Sequence, residues 1–193
     1  MAKTEIKTNV MRILDKAKVE YKHYNYEADG TTTGVEVARL LGQDPKKVFK
    51  TLVTVGKSKN YYVFVVPVEK ELNLKLAAGS VGEKSIEMIK SKDLLAVAGY
   101  IHGGCSPIGM KKNYRTIIDT QANECDTIIF SAGKIGYQVE MTMEDLKKVI
   151  CYQVADVAVD PFNSESNVKY LKNIIEDIES GKGVLVEQEL IEE

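Results

Sequence analysis

A lysine stands inside a strand-like apolar run, V-F-K-T-L-V-T-V at residues 48–55. Side chains along a strand alternate between two faces. Val48, Lys50 and Leu52 therefore share one face, and Phe49, Thr51 and Val53 share the other. A buried ammonium without a partner is costly or gives up its proton. Lys50 must lie at an exposed edge, snorkel to water, or point into a polar pocket. In a pocket it could hold a phosphate or a developing oxyanion, or act as an amine nucleophile.

A second stretch, I-H-G-G-C-S-P-I-G-M at 101–110, has three glycines and a proline in ten residues. Glycine allows close backbone approach and positive φ, whereas proline fixes φ and removes a donor. Such a loop can present backbone N–H groups and the Ser106 hydroxyl to a bound group. It is neither a Walker loop nor a G-x-G-x-x-G dinucleotide turn. A second glycine-bearing turn, S-A-G-K-I-G at 131–136, reads as a hairpin. Its Lys134, with Lys111, Lys112 and Arg115, forms the best candidate basic patch. These four are either solvated surface charges or phosphate contacts that would position an RNA without reading its sequence.

The three cysteines, Cys105, Cys125 and Cys151, are far apart, and neither His23 nor His102 completes a metal pattern. They read as reduced thiols, with Cys105 the one placed where a nucleophile would be useful. No metal or cofactor is expected. No apolar run approaches the roughly 20 residues of a membrane span, and no signal core follows the first lysines. A cytoplasmic location is expected, with no membrane partner. Net charge is −2, unevenly spread. Residues 1–155 carry 23 Lys+Arg against 18 Asp+Glu, a balance of +5; residues 156–193 carry 3 against 10, a balance of −7. The basic body permits an anionic partner such as RNA.

These residues must be positioned by an α+β arrangement. Residues 4–19 read as a helix, with Val10, Ile13, Leu14 and Ala17 at helical spacing. Residues 20–27 read as extended, Asp29-Gly30 as a turn, and T-T-T-G at 31–34 as caps for a short helix closed by Gly42. Tyr61–Val68 is the strongest strand, apolar enough to be covered on both faces. Residues 72–99 read as three brief helices, and 115–119, 126–130 and 136–141 as strands. Thr142 with Asp145 caps a helix running to about Cys151. In the tail, Val168, Leu171, Ile174, Ile175 and Ile178 make one helical stripe, and V-L-V at 184–186 could add a strand. That helix either packs on the body or makes an oligomer contact. Strands do not alternate regularly with long helices, so a mixed sheet is favoured over a doubly wound one.

Taken in order, V-F-K-T-L (48–52), V-V-P-V (65–68), G-E-K-S-I-E-M-I (82–89), G-Y-I-H-G-G-C-S-P-I-G-M-K-K (99–112), I-I-D (117–119) and S-A-G-K-I-G (131–136) resemble the YbaK family. These are bacterial aminoacyl-tRNA deacylases related to the editing domain inserted in bacterial prolyl-tRNA synthetases. The resemblance spans residues 5–155. It implies a single α+β domain over 1–155 with a mixed, barrel-like sheet surrounded by short helices. Residues 156–193 look like an acidic extension.

The resemblance also implies removal of wrongly attached cysteine from tRNA(Pro). The rival substrate is Ala-tRNA(Pro) or another small aminoacyl group. A non-catalytic tRNA- or synthetase-binding module is the alternative of another kind. Mischarged tRNA, Cys-tRNA(Pro), is the implied partner, and prolyl-tRNA synthetase a further one. The family lysine matches Lys50, as the implied catalytic residue, and the family tyrosine matches Tyr26. Gly103, Gly104, Ser106, Pro107 and Gly109 match the loop lining the amino-acid pocket, and Ser131 and Gly133 match the second turn. Two positions depart from the family pattern: an aromatic residue is replaced by Thr33 or Gly34, and an aspartate by Gln138. In cysteine-specific members the substrate thiolate itself attacks the carbonyl. The protein then supplies proximity and charge stabilisation.

Overall fold

The computed structural model describes residues 7–27, 33–163 and 165–180. In chain order its elements are α1 (Asn9–Ala17), β1 (Lys22–Asn25), α2 (Gly34–Leu40), β2 (Phe49–Gly56), β3 (Tyr61–Pro67), β4 (Glu71–Leu72), α3 (Leu74–Val81), β5 (Ile86–Met88), α4 (Ser91–Ala98), β6 (Arg115–Asp119), β7 (Ile128–Ser131), β8 (Tyr137–Met141), α5 (Met143–Lys147), β9 (Tyr152–Ala155), β10 (Ala158–Val159) and α6 (Glu165–Glu179). The chain divides into two compact units, Met1–Val159 and Asp160–Glu193. The first is a mixed α+β domain.

Its main sheet runs β5-β2-β3-β6-β9. β2 pairs antiparallel with β3 and β5, while β3–β6 and β6–β9 are parallel. A second sheet, β1-β8-β7, is antiparallel, and β4 pairs with β10. Among the described residues, an isolated parallel bridge between Val48 and Ile129 ties β7 to the entry of β2. The resemblance implies barrel-like closure; among the described residues the ladders form three sheets, with the Val48–Ile129 bridge between the first two.

β3 is the centre of the main sheet, and its apolar run is explained by burial on both faces. Val63 and Val65 join one core with Phe49, Val53, Ile118, Phe130, Val139 and the α1 residues Val10 and Leu14. Tyr62, Phe64 and Val66 join another with Ile117, Ala77, Ala78 and Val81. A third, smaller cluster of Ala38, Val48 and Ile129 holds α2 beside the start of β2.

Local rules set most boundaries. Thr8 caps α1, and Lys18 ends it in a left-handed conformation. Thr33 and Glu36 form a complete capping box on α2. Thr142 accepts from the Asp145 N–H at 3.1 Å to start α5, which stops at Lys147 rather than near Cys151. The middle of the three expected helices is instead β5, because Ile86, Glu87 and Met88 complete the ladder of β2 at its outer edge. Glu71–Leu72, Tyr152–Ala155 and Ala158–Val159 also pair as strands. The buried Asp119 carboxylate fixes the last of these by accepting the N–H groups of Val157 and Ala158 at 3.1 and 2.9 Å. The expected turn at Asp29-Gly30 and the 184–186 strand lie outside the described residues.

Candidate active site

The glycine-bearing loop and the β7–β8 hairpin meet at Gly104. A Cβ there would sit 3.2 Å from the Ile135 nitrogen and 3.4 Å from the Lys134 carbonyl carbon, so only glycine lets the two backbones approach this closely. Tyr100 fixes the loop from inside: it is buried, and its hydroxyl donates to the Ile108 carbonyl at 2.5 Å. On the other side of the hairpin, the Tyr26 N–H donates to the Gly136 carbonyl at 2.9 Å, which brings Tyr26 to the same place.

Between these elements and the start of β2 lies a cavity of about 280 Å³. Lys50, Tyr26, Gly103, Ser131 and Gln138 all line it. Gly104, Ser106, Pro107, Gly109 and Gly133 are not among its lining residues. Ser106 is fully buried, and its hydroxyl accepts the Ile108 N–H at 3.4 Å, a turn contact rather than a substrate contact. Sequence reasoning gave no site role to Val37, Phe49, Thr51, Leu94 and His102, which also line the cavity; Cys105, the thiol singled out as placed for a nucleophile, lines it too. Phe49 and Thr51 flank Lys50 in sequence, and that adjacency was the available signal. Val37 and Leu94 arrive by tertiary packing and carry no local signal.

Lys50 is half-buried, and its ammonium donates to the Val68 carbonyl at 3.4 Å. Burial lowers its proton affinity, and the nearby Glu71 carboxylate partly offsets this. Cys105 is 8% exposed, and burial pushes its thiol up to about 12. It is therefore a neutral thiol at pH 7, a poor nucleophile. Gln138 is buried, and its Oε1 accepts from Gln43 Nε2 at 3.0 Å. Thr33, the α2 cap, and Gly34 also border the cavity. Among the described residues no group of three His, Cys, Asp or Glu side chains is placed to hold a metal ion.

The four candidate basic residues are not one cluster. Lys134 lies on the hairpin tip beside Gly104, with its ammonium 4.9 Å from the centre of the Tyr137 ring. Lys111 donates to the Ala96 carbonyl at 3.3 Å at the end of α4. Lys112 is exposed. Arg115 caps the end of α3 through the Ser80 and Val81 carbonyls and also bonds Gln153. Arg115 is in register with Tyr62 of β3 and Lys50 with Val66. Arg115 thus stands about 13 Å further along the sheet than Lys50.

This fold and cavity define an editing domain. The sequence pattern of the aminoacyl-tRNA editing domain family matches residues 28–149, more than half of the chain, and the chain belongs to that family, an aminoacyl-tRNA deacylase of the YbaK type. It is 43% identical over 156 residues to a protein of Enterococcus faecalis provisionally named Cys-tRNA(Pro)/Cys-tRNA(Cys) deacylase EbsC, covering 80% of this chain and 95% of that one. It is 30% identical over 102 residues to a proline–tRNA ligase of Thermosipho melanesiensis, covering 53% of this chain and 18% of the ligase. A solved structure provisionally described as a trans-editing enzyme for prolyl-tRNA synthetase shares the fold, with a TM-score of 0.67 at 21% identity over 79% of this chain and 98% of that one.

Proposed function

We propose that the protein removes cysteine wrongly esterified to tRNA(Pro), and that the substrate's own thiol is the nucleophile. The observation that carries this reading is the chemistry of the cavity wall. Among the described residues it offers one ammonium, Lys50, beside a glycine backbone, while its only thiol is held neutral. Such a wall suits stabilising an anion better than supplying an attacking group. In the reaction, the cysteine thiolate sulfur bonds to the ester carbonyl carbon. The bond from that carbon to the tRNA 3′ oxygen breaks, and its electron pair stays on that oxygen, which takes a proton from solvent. Cysteine leaves as a cyclic thioester that water then opens. Lys50 would neutralise the oxyanion or hold the terminal adenosine's phosphate, and the Gly103 backbone would orient the carbonyl. Holding sulfur and carbonyl within attack distance supplies most of the remaining acceleration.

Mischarged tRNA would approach over the hairpin and glycine loop, where Lys134 is the best placed cation. The homology to a proline–tRNA ligase supports a tRNA(Pro) substrate and a prolyl-tRNA synthetase as working partner. The test is deacylation of Cys-tRNA(Pro), Ala-tRNA(Pro) and Pro-tRNA(Pro), side by side, with purified protein. Rapid release of cysteine alone is expected. Release of alanine but not cysteine would overturn the thiol mechanism and require a water nucleophile. No release of any of the three would make the protein a binding module.

A further inference from the structure

The Gln138 side chain is a buried carboxamide on the wall of the cavity. A carboxamide has two different ends, a double acceptor and a double donor. Which end faces a ligand decides whether the wall attracts or repels negative charge. In this chain the choice is made by a second carboxamide behind the first. Gln43 follows the left-handed Gly42 at the end of α2, where its own N–H donates to the Ala38 carbonyl at 2.8 Å. Its side-chain Nε2 donates to Gln138 Oε1 at 3.0 Å. The oxygen of Gln138 is thereby engaged by a residue outside the cavity lining, which leaves the NH2 group as the end available to an occupant. Gln43 Oε1 is buried without a partner among the described residues, so the pair is held by one directed bond.

We propose that Gln43 is a positioning residue that turns the NH2 end of Gln138 toward the substrate and so favours the ionised over the neutral thiol of a bound cysteinyl group. This rests on the cysteine reading above. Among the described residues the titratable groups that line the cavity are Tyr26 from the segment after β1, Lys50 from β2, and His102 and Cys105 from the glycine loop; Glu71 stands near Lys50, and Tyr24 of β1 is in register with Gln138. Asp44, next to Gln43, is turned to its own backbone, accepting the Lys46 N–H at 3.0 Å. A donor amide in the same lining as Lys50 gives a thiolate two partners. An inverted amide would place an acceptor against the developing charge.

The experiment compares wild type with Gln43→Glu and Gln43→Met in single-turnover deacylation of Cys-tRNA(Pro) across pH 6–9. A carboxylate at 43 can only accept, so it draws the Gln138 NH2 group to itself and turns the oxygen toward the cavity. Gln43→Glu is expected to lose roughly tenfold in kcat, to move the rising limb of the kcat–pH profile alkaline by about one unit, and to leave KM within about twofold. Gln43→Met removes the donor without adding charge and should shift the same limb in the same direction by less. A Gln43→Met enzyme with the wild-type rate and profile overturns the inference, even if Gln43→Glu fails to fold. Wild type that releases no cysteine overturns instead the reading on which the inference rests.

Discussion

Lys50 and Cys105 border one cavity, and burial moves both toward their uncharged forms. For the thiol the direction is upward, to about 12; for the ammonium it is downward, against the pull of Glu71. Lys50 still retains a carbonyl contact with Val68 and a carboxylate nearby, whereas burial alone shifts Cys105. One site therefore combines a charged group of tunable strength with a thiol that stays silent. The same low polarity that silences Cys105 strengthens any contact between Lys50 and a negative charge inside the cavity.

Replacing Lys50 by alanine is expected to reduce kcat for deacylation on the order of 10²- to 10³-fold, the usual cost of removing a group that stabilises a developing oxyanion. Binding of uncharged tRNA should fall much less. Single-turnover rates and a filter-binding titration on the same preparation check both. Unchanged deacylation would remove Lys50 from the reaction.

Cys105→Ala should keep deacylation within about threefold of wild type, because a thiol protonated at neutral pH supplies no nucleophile. Alkylation at pH 8 followed by peptide mass mapping should label the exposed Cys151 first and leave Cys105 unlabelled until the protein unfolds. A Cys105→Ala enzyme with activity lost and fold intact would point to a covalent mechanism.

Gly133 is closely packed within the second turn. Its φ is +83°, and a Cβ would lie 2.8 Å from the Tyr100 ring and 2.9 Å from Val10. Gly133→Ala combines a left-handed backbone with overpacking of a buried ring, at a cost of roughly 2–4 kcal/mol. Thermal unfolding should show a clear drop in Tm. The hairpin shift should also raise KM, since Ser131 and Gln138 lie on the two strands it joins.

Much of this arrangement was legible in sequence because it is local. The continuous apolar run at 61–68 gives a strand covered on both faces, and Thr33 caps α2 as the T-T-T-G stretch implies. Strand alternation divides Phe49 and Val53 from Val48 and Leu52, and the two sets enter different packing clusters. What failed was tertiary. Ile86–Met88 becomes a strand only because β2 offers an unpaired edge, and Ala158–Val159 because Asp119 holds its N–H groups. Ser106 looked like an exposed hydroxyl in a ligand loop, yet the chain buries it. The basic patch looked continuous because Lys111, Lys112 and Arg115 are near in sequence, but Lys111 and Arg115 are occupied with helix ends. The link from Gln43 to Gln138 spans 95 residues and left no local trace.

Acid stability should depend on Glu140. Its side chain is 11% exposed and accepts the hydroxyls of Thr127, at 2.6 Å, and of Tyr24. Lys22 stands 3.8 Å away. Burial raises the Glu140 carboxyl, but the two hydroxyl bonds and the cations Lys22 and Lys47 outweigh it, so the net shift is downward. The same bond pushes the Tyr24 hydroxyl up to about 12. A carboxyl whose folded value lies below its unfolded one contributes stability that is complete above the unfolded value. That contribution fades as pH falls through the folded value. Glu140→Gln should therefore cost about 1–3 kcal/mol near pH 7, where two hydroxyls lose an ionic acceptor. The gap to wild type should narrow as pH falls below the ordinary carboxyl range and through the lowered folded value. Urea unfolding at pH 7, 5 and 3.5 reads this directly. A variant that stays equally destabilised at all three values would mean that Glu140 acts through packing and not through its charge.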